Sequence, residues 1–304
     1  MPRKTRFKIV NGIYHIMLRS LSDFLLFRND KDKKVFLNII KKYQIKYNFK
    51  VYAYCIMSNH VHLLIDSNGA DISQFMHSIN QSYAQYYNKT YGRRGHVFQD
   101  RFKSKIVDTN SYLFVLSAYI HRNPKDIKKY KNHIEDYKYS SLGVYLGLRE
   151  DSFGILDEDY VMQMFDKDVE KARKAYLFLV YNCNDKTLKK SSEFKNEKTE
   201  YKSERHVIDR NFDHEEILDF VSKYTGVPKW QIILKSNRHI TKVKALYILM
   251  LKCLCNYRDK DICKLIGNIT QSRISALCAI GIEIVLHDVK YKNIIYDFIT
   301  LKAS

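Results

Sequence analysis

Two apolar runs separated by a short polar step restrict the fold of this chain more than any other feature. Residues 49–66 read FKVYAYCIMSNHVHLLID, in which the runs 49–57 and 60–66 flank Ser58 and Asn59. β-branched and aromatic residues favour strands, whereas serine and asparagine favour tight turns. The stretch therefore predicts a β-hairpin, and the chain must contain an antiparallel sheet.

The segments around this hairpin alternate between strand and helix patterns. Alternating hydropathy predicts strands, and apolar side chains repeated every three or four positions predict amphipathic helices. Strands are expected over 8–19 and 100–107, and helices over 31–48, 71–88 and 109–122. The order β-α-β-β-α-β-α predicts an α+β fold, an antiparallel ferredoxin-like or RRM-like sheet with helices on one face.

His60 and His62 lie two positions apart on a predicted strand, so their side chains share one face. Two neutral imidazoles can hold a divalent metal if a third donor converges on them. Tyr119 and Asn123 lie one turn apart on the predicted helix, where they could supply a nucleophilic hydroxyl and an amide oxygen. The alternative is that both histidines pack in or near the core with hydrogen-bond partners. On spacing alone, packing is the better interpretation.

Five segments in the first half of the chain together resemble a known protein family. They are MPRKTRFKIVNGIYHIMLRS, LLFRNDKDKKVFL, VYAYCIMSNHVHLLI, GRRGHVFQDRFKSKIVD and YIHRNP. In order and spacing they resemble the tyrosine transposases of the HUH class, and especially the branch of the REP-associated tyrosine transposases. The resemblance implies an HUH sheet, a divalent metal held by two histidines and a polar helix residue, and cleavage of single-stranded DNA by one tyrosine.

The resemblance assigns roles to four residues of this chain. His60, His62 and Asn123 match the metal ligands, and Tyr119 matches the nucleophile. The implied cofactor is Mg²⁺ or Mn²⁺. The implied reaction is a transesterification that leaves a 5′-phosphotyrosine and a free 3′-OH, in DNA transposition or on repeated extragenic palindromic hairpins.

The chain also departs from the pattern of the REP-associated branch. That branch carries an arginine before the tyrosine and a Glu-Leu pair before Asn-Pro, whereas Ala118, His121 and Arg122 stand here. These differences bear on the choice of DNA sequence and leave the nucleophile and the ligands in place.

The charge balance points to nucleic acid as a partner. The chain carries 52 Lys and Arg against 33 Asp and Glu, a net charge of +19, and such a field favours polyanions. DNA contacts are expected from the segment 90–105, where basic residues stand among Tyr91 and Phe98. The basic residues are Arg93, Arg94, Arg101, Lys103 and Lys105.

Cysteine usage and the lack of long apolar runs predict a cytoplasmic protein. The 6 cysteines form no CxxC pair, so neither a disulfide framework nor a zinc knuckle is indicated, which suits a reducing compartment. The longest apolar run, 245–255, is too short to span a bilayer. A membrane partner is therefore not expected.

The chain is expected to have three parts. Residues 1–150 form the catalytic domain, 151–205 a helical extension and charged linker, and 206–304 a helical domain. Within the extension, one helix is expected over 158–182. In the last part, helices are expected over 213–224, 228–235, 239–257, 259–267 and 270–286.

The last two of these helices have the length and separation of a helix-turn-helix. Residues 213–286 also resemble the C-terminal DNA-binding domain of the replication initiator DnaA. Gln271, Ser272 and Arg273 would then face the base edges of duplex DNA, with binding that depends steeply on salt. The alternative is a helical bundle that only packs on the catalytic domain or forms a dimer, so monomer and homodimer both stay open.

Three function classes remain. They are a metal-dependent single-stranded DNA endonuclease and strand transferase, a DNA-binding regulator derived from a transposase, and an RNA-binding module on the same kind of sheet. The complete set of His60, His62, Tyr119 and Asn123 favours the enzyme. The lack of an RNP-like aromatic motif argues against the RNA-binding module.

Overall fold

The structure, a computed structural model, describes residues 11–21, 25–183, 186, 208, 210–234, 240–267 and 269–303. The chain divides into two compact units. The first comprises Met1–Lys41, Phe49–Asn68 and Ile72–His206, and the second comprises Lys42–Asn48, Gly69–Asp71 and Val207–Ser304. Apart from residue 186, the predicted charged linker over 184–206 lies outside the described residues.

The first unit is built on a four-stranded antiparallel sheet. Its strands are β1 (Ile13–Arg19), β2 (Lys50–Ile56), β3 (His60–Asp66) and β4 (Lys103–Val107), in the spatial order β2-β3-β1-β4. The predicted α+β class and the predicted order of strands and helices are confirmed.

Strand β4 begins later than the predicted start at residue 100. Phe98 instead forms an isolated bridge with Ser20, and the backbone N–H of Gln99 donates to the carbonyl of Arg19 at 3.0 Å. The backbone before Lys103 is thus already paired with the end of β1, and the chain must turn before it can continue as β4. Of the strand predicted over 8–19, residues 8–10 lie outside the described residues.

The β2–β3 hairpin is the predicted one, and its two faces are both buried. The N–H of Met57 donates to the carbonyl of His60 at 2.9 Å and closes the turn. Leu18 pairs with Val61 on one face, and both are at most 1 % exposed. On the other face, Leu64 is fully buried and His62 is 6 % exposed. The two-residue period of the strand therefore separates the histidines from Val61.

Three helices complete the core of the first unit: α1 (Asp30–Tyr47), α2 (Ile72–Thr90) and α3 (Asn110–Arg122). The Thr109 side chain caps α3 by accepting from the N–H of Tyr112 at 3.1 Å. A cap of this kind stabilises a helix by about 1 kcal/mol. After Arg122 the backbone tightens into a 3₁₀ turn over Asn123–Asp126 that contains Pro124, because proline cannot continue an α-helix.

The helix predicted over 158–182 is wrong as a single element. The structure has α4 (Leu142–Tyr145), then α5 (Asp159–Met162) and α6 (Val169–Asn182). The break has a local cause, because the Asp168 carboxylate accepts from the N–H groups of Glu170 and Lys171 and caps a new helix start. A side chain that satisfies free N–H groups in this way marks an N-terminus rather than a helix interior.

In its described part, the second unit contains helices and no strand. Its helices are α7 (His214–Thr225), α8 (Lys229–Ile233), α9 (Thr241–Leu254), α10 (Asp259–Ile266), α11 (Gln271–His287) and α12 (Ile294–Ala303). Helix α9 forms the centre of the core, with Leu246, Ile248 and Leu251 fully buried. Gly281 of α11 lets these helices approach closely, because a Cβ there would stand 2.6 Å from the carbonyl oxygen of Ala245. Helix α12 was not predicted.

No single helix among the described residues has both the length and the apolarity needed to cross a membrane. The bent pair of α10 and α11 meets that test only when the two helices are counted together, by length and composition.

Candidate functional site

His60 and His62 lie side by side on one face of β3. In the register with β1, His60 faces Arg19 and His62 faces Met17. The two imidazole centroids are 5.1 Å apart. His62 is buried, whereas His60, at the first position of the strand, is half-buried. The pair therefore stands where the sheet ends, with one ring in the interior and the other near the surface.

The end of α3 brings an amide to this pair. The Asn123 Oδ1 atom lies 3.3 Å from His60 Nε2. The Nδ2 group of the same side chain donates to the carbonyls of Tyr119 and Ile120 at 3.0 and 3.1 Å. Both carbonyls lie in the last turn of the helix, and the carbonyl of Ile120 also accepts from the backbone N–H of Asn123. They hold the amide so that its oxygen, not its nitrogen, faces His60.

Tyr119 lies one helical turn before Asn123 and stands next to His62. The centroid of the phenol ring is 6.2 Å from that of His62, and the rings meet edge to face at 89°. The side chain is half-buried, so the ring is held while part of it reaches the surface. The spacing of four residues thus places the phenol and the amide against the same two histidines.

Each of the two histidines has a partner on its other ring nitrogen. His60 Nδ1 lies 2.7 Å from Asn59 Oδ1, and His62 Nδ1 lies 2.9 Å from His15 Nε2. Asn59 Oδ1 and Asn123 Oδ1 can both only accept, so neutral His60 donates to one of them and turns a lone pair toward the other. If His60 donates from Nδ1 to Asn59 and His62 donates from Nδ1 to His15, both Nε2 atoms carry a lone pair. His15 then carries its own proton on Nδ1.

His15 is a further residue of this site, and no sequence pattern singled it out. The residue lies on β1, two positions before Met17 and hence on the same face as His62. Its ring stacks on that of His62, with centroids 5.2 Å apart and an interplanar angle of 21°. The alternating pattern of β1 already placed His15 on one face, but only the pairing of β1 with β3 shows that it is the face of the histidine pair.

Burial keeps the three imidazoles neutral at pH 7. It lowers the pKa of His62 well below its usual value, and the neighbouring His15 and His60 lower it further. Burial also lowers the pKa of His60, against a hydrogen bond to Asn123 that raises it. The pKa of His15 falls to about 4 through burial and the nearby Lys105. A neutral imidazole is the form that binds a metal.

The donors at this site fit a divalent cation. They are two neutral imidazoles with their Nδ1 atoms occupied by partners, and one amide oxygen held toward them. No group of three or more His, Cys, Asp or Glu side chains that could hold a metal occurs in the part of the chain that the structure describes. A metal here would therefore depend on the asparagine as the third protein donor.

The basic residues predicted to contact DNA fall into two groups. Lys103 and Lys105 are exposed on β4 and pair with Met17 and His15, so they share the face of the histidines. Lys105 Nζ also lies 4.5 Å from the centroid of the Tyr112 ring.

The second group lies in the segment between α2 and β4. Arg94 and Arg101 are exposed, while Arg93 is half-buried with its guanidinium 6.0 Å from the centroid of the Tyr87 ring. A further basic residue, Arg19, was not predicted from the sequence; it is exposed and faces His60 across the sheet. A guanidinium at that position suits a phosphate close to the histidines.

Of the three residues that depart from the REP-associated pattern, two lie in the interior and Arg122 is half-buried. Ala118 and His121 are fully buried. His121 Nδ1 lies 2.7 Å from the Tyr176 hydroxyl, and its Nε2 lies 2.6 Å from Ser141 Oγ. The Arg122 guanidinium donates to the carbonyl of Cys183. These contacts fasten α3 to α6 and to the segment before α4, and so fix the helix that carries Tyr119.

Gln271, Ser272 and Arg273 are described within the second unit. All three are exposed in the first turn of α11. Thr270 caps that turn by accepting from the N–H of Arg273 at 3.2 Å. The turn therefore presents polar side chains and the positive end of a helix dipole to solvent.

Residues 8–123 match the family model described as transposase IS200 like. The matched segment contains the four residues of the candidate site. A solved structure of a REP-associated tyrosine transposase bound to a REP hairpin is similar at 16% sequence identity, with a TM-score of 0.39, and the match covers 56% of this chain and 96% of that chain. Among curated proteins, none matches this chain.

Proposed function

We propose that the chain cleaves and rejoins single-stranded DNA through a covalent tyrosine intermediate, on the premise that residues 8–123 match the model of the IS200-like transposases. The family supports a transposase-type action on DNA. The cleavage chemistry, the nucleophile and the need for a metal are part of the proposal. Hairpin-forming single strands are the proposed substrate.

The observation that carries this proposal is the convergence of four side chains from two elements. His60 and His62 come from β3, Tyr119 comes from α3, and Asn123 is the residue that ends this helix. A packing role with hydrogen-bond partners explains the buried His62 and the Asn123 oxygen near His60, but it does not explain why they come together at a half-exposed end of the sheet. Nor does it explain the phenol that stands beside them with part of its surface exposed.

In the proposed reaction Tyr119 is the nucleophile. Its hydroxyl oxygen attacks the phosphorus, and the bond from phosphorus to the 3′ oxygen breaks. The phenol loses one proton and the departing oxygen gains one, which leaves a 5′-phosphotyrosine and a free 3′-OH. The new ester keeps a phosphodiester, so a 3′-OH can attack it and rejoin the strand without another energy source.

The other residues of the site hold and position the substrate. Arg19, Lys103 and Lys105 lie on the histidine face, where their charges would hold the strand by its phosphates. His60, His62 and Asn123 would bind a divalent cation, Mg²⁺ or Mn²⁺. When bound, such a cation acts as a Lewis acid on a phosphate oxygen.

The direct test is the capture of a covalent complex. The protein is incubated with single-stranded oligonucleotides taken from around its own gene, with Mn²⁺ or with a chelator, and denatured before electrophoresis. A band of protein joined to DNA that needs Mn²⁺ is expected. Binding without any such band would favour the alternative, a DNA-binding regulator derived from a transposase.

The hydrogen bond between His62 and His15 leads to a separate prediction. A His15→Phe variant keeps a ring against His62 but removes the acceptor for its Nδ1 proton. We expect Mn²⁺ affinity to fall about 10- to 100-fold, the usual effect of losing the partner behind a metal-binding histidine. His15→Gln, whose amide oxygen can accept, should lose less.

Mn²⁺ titration followed by electron paramagnetic resonance measures the affinity, and ¹⁵N NMR of the metal-free protein reports the His62 tautomer. The exposed His133 gives a matched control, since His133→Phe should change neither quantity. Equal losses in His15→Phe and His15→Gln would contradict a role based on hydrogen bonding.

A second candidate activity is duplex DNA binding by the second unit. The observation that favours it is the exposed first turn of α11, with Gln271, Ser272 and Arg273 at a capped helix N-terminus. Recognition helices contact base edges from this position. The alternative is a bundle whose helices only pack together.

In the full chain, Arg273→Ala is expected to weaken duplex binding about tenfold, since one contact to a base edge or phosphate contributes about 1–3 kcal/mol. Fluorescence anisotropy at several salt concentrations measures both the affinity and its salt slope. Lys174→Ala removes the same charge from an exposed position on α6 and serves as the control. Binding that is insensitive to salt and to Arg273→Ala would favour the bundle.

A further inference from the structure

A groove of about 690 Å³ lies between α2 and the segment 95–102 of the first unit. This volume is within the roughly 300–1,000 Å³ of ordinary ligand sites. One wall is a stripe of α2 that includes His77, Asn80 and Gln81, and the other includes Phe98 and Arg101. None of these residues belongs to the histidine site.

The polar groups of the groove have unused hydrogen-bonding capacity. Within the described part of the chain, no polar partner exists for the side chains of His77, Gln81 or Arg101. The Oδ1 atom of Asn80 is buried and makes no hydrogen bond. Buried polar atoms without a partner are rare, and each calls for a ligand, a water or an ion to satisfy it.

The stripe is also not part of the packing surface of α2. The buried residues of this helix include Phe75, Met76 and Ile79, which follow the core. Asn80, Gln81 and Ala84 lie on a different side of the helix from these buried residues. The short side chain of Ala84 leaves room in the groove. A polar helix face that lines a groove and lies away from the core has side chains available to a ligand.

The chemistry of the walls suits a nucleobase carrying a phosphate. Amide side chains both donate and accept, as the edge of a base requires. Phe98 offers an aromatic surface, and base stacking on aromatic rings is the common way to hold an unpaired base. The Arg101 guanidinium can hold the attached phosphate. Asp100 is the one carboxylate in the lining, so the groove is not built for a cation.

The groove is joined to the candidate site through backbone pairing. Phe98 bridges to Ser20, next to Arg19, and Arg19 pairs with His60. Two strand spacings of about 4.8 Å each therefore separate the backbone of Phe98 from that of His60, or roughly 10 Å. Because Phe98 pairs with Ser20, its side chain points to the face opposite Arg19 and His60. A strand whose phosphate lies at His60 would therefore pass over the end of the sheet to reach the groove, a path of a few nucleotides.

We propose that this groove binds one unpaired base of the DNA strand beside the cleaved phosphodiester and so contributes to the choice of cleavage sequence. The inference rests on the proposed function, since it takes single-stranded DNA as the ligand. The groove would then select the base through Asn80 and Gln81 and hold it against Phe98.

The test uses the full chain carrying Tyr119→Phe, so that bound DNA stays uncut. A tightly bound sequence is selected from a randomised pool of single-stranded oligonucleotides, and each base is then replaced in turn by an abasic site. We expect one position at which the abasic site lowers affinity about tenfold, the scale of a lost stacking contact. Adding Asn80→Ala and Gln81→Ala should abolish the loss at that position only.

Gln74→Ala, on the same helix but outside the groove, is the matched control and should leave the abasic profile unchanged. If the double substitution prevents folding, the exposed Gln81 is replaced alone, with a partial loss expected at the same position. An abasic profile identical in the parent and in Gln81→Ala would overturn the proposal. The proposal would also be overturned if free deoxynucleoside monophosphates displaced the oligonucleotide while no single abasic position lowered its affinity.

The outcome can be separated from that of the proposed function. The protein with Tyr119 intact is assayed for covalent adducts on the same selected oligonucleotide. Adducts with a flat abasic profile contradict the groove alone. A position-specific effect without adducts contradicts the cleavage chemistry alone.

Discussion

A Tyr119→Phe variant is expected to bind single-stranded DNA as the wild-type protein does and to form no covalent adduct. The substitution removes one oxygen and keeps the ring that meets His62 at 6.2 Å, so the packing of α3 should not change. Loss of the nucleophile should lower adduct formation by at least about a thousandfold, because no other group replaces it. Denaturing electrophoresis with labelled oligonucleotides measures the adduct, and anisotropy measures binding.

A matched control comes from another tyrosine of the same chain. Tyr296 is 69 % exposed on α12, and Tyr296→Phe removes the same hydroxyl without touching the candidate site. It should form adducts at the wild-type rate. If Tyr119→Phe forms as much adduct as the wild-type protein, then Tyr119 is not the nucleophile.

The second large effect is expected from His60→Ala. His60 is half-buried at the start of β3, so its removal should disturb the core less than removal of the buried His62. The variant loses the imidazole nitrogen that lies 3.3 Å from Asn123 Oδ1. Loss of the hydrogen-bond partner of a metal-binding histidine lowers metal affinity roughly 10- to 100-fold. Loss of the ligand itself should cost more, so we expect Mn²⁺ affinity to fall by more than about 100-fold. Adduct formation in Mn²⁺ should fall with the affinity.

Titration of Mn²⁺ into the DNA-free protein, followed by electron paramagnetic resonance, separates metal binding from catalysis. His133→Ala removes an exposed histidine elsewhere in the same unit and should behave as wild type. Recovery of adducts at high Mn²⁺ in His60→Ala would support a ligand role. Unchanged Mn²⁺ affinity would show that His60 serves packing, the interpretation that spacing alone favoured.

Much of the first unit follows from local sequence patterns. The apolar runs around Ser58 and Asn59 predict the β2–β3 hairpin, and the period of two predicts that His60 and His62 share a face. The period of the helix predicted over 109–122 places Tyr119 and Asn123 on one side of that helix. These predictions succeed because they concern residues close in the chain, where backbone geometry alone sets the neighbours.

The boundaries of some helices do not follow from local sequence patterns. The helix predicted over 158–182 has the right composition, yet Asp168 begins a new helix inside it. Aspartate is a known N-cap residue, so the signal was present, but a charged residue on a solvent-facing helix looks the same in sequence. Only its hydrogen bonds to the N–H groups of Glu170 and Lys171 decide between the two.

What the sequence determined by itself was a hairpin with two histidines on one face, a helix with a tyrosine and an asparagine one turn apart, and a positive charge suited to DNA. What only the tertiary structure decided was which of these meet. His15 contacts His62 across 47 positions of sequence, and His60 meets Asn123 across 63. Those contacts depend on the strand order β2-β3-β1-β4 and on the place of α3 against the histidine face. Periodicity fixes the direction of a side chain along its own element, but the pairing of distant elements is set by packing of the whole core.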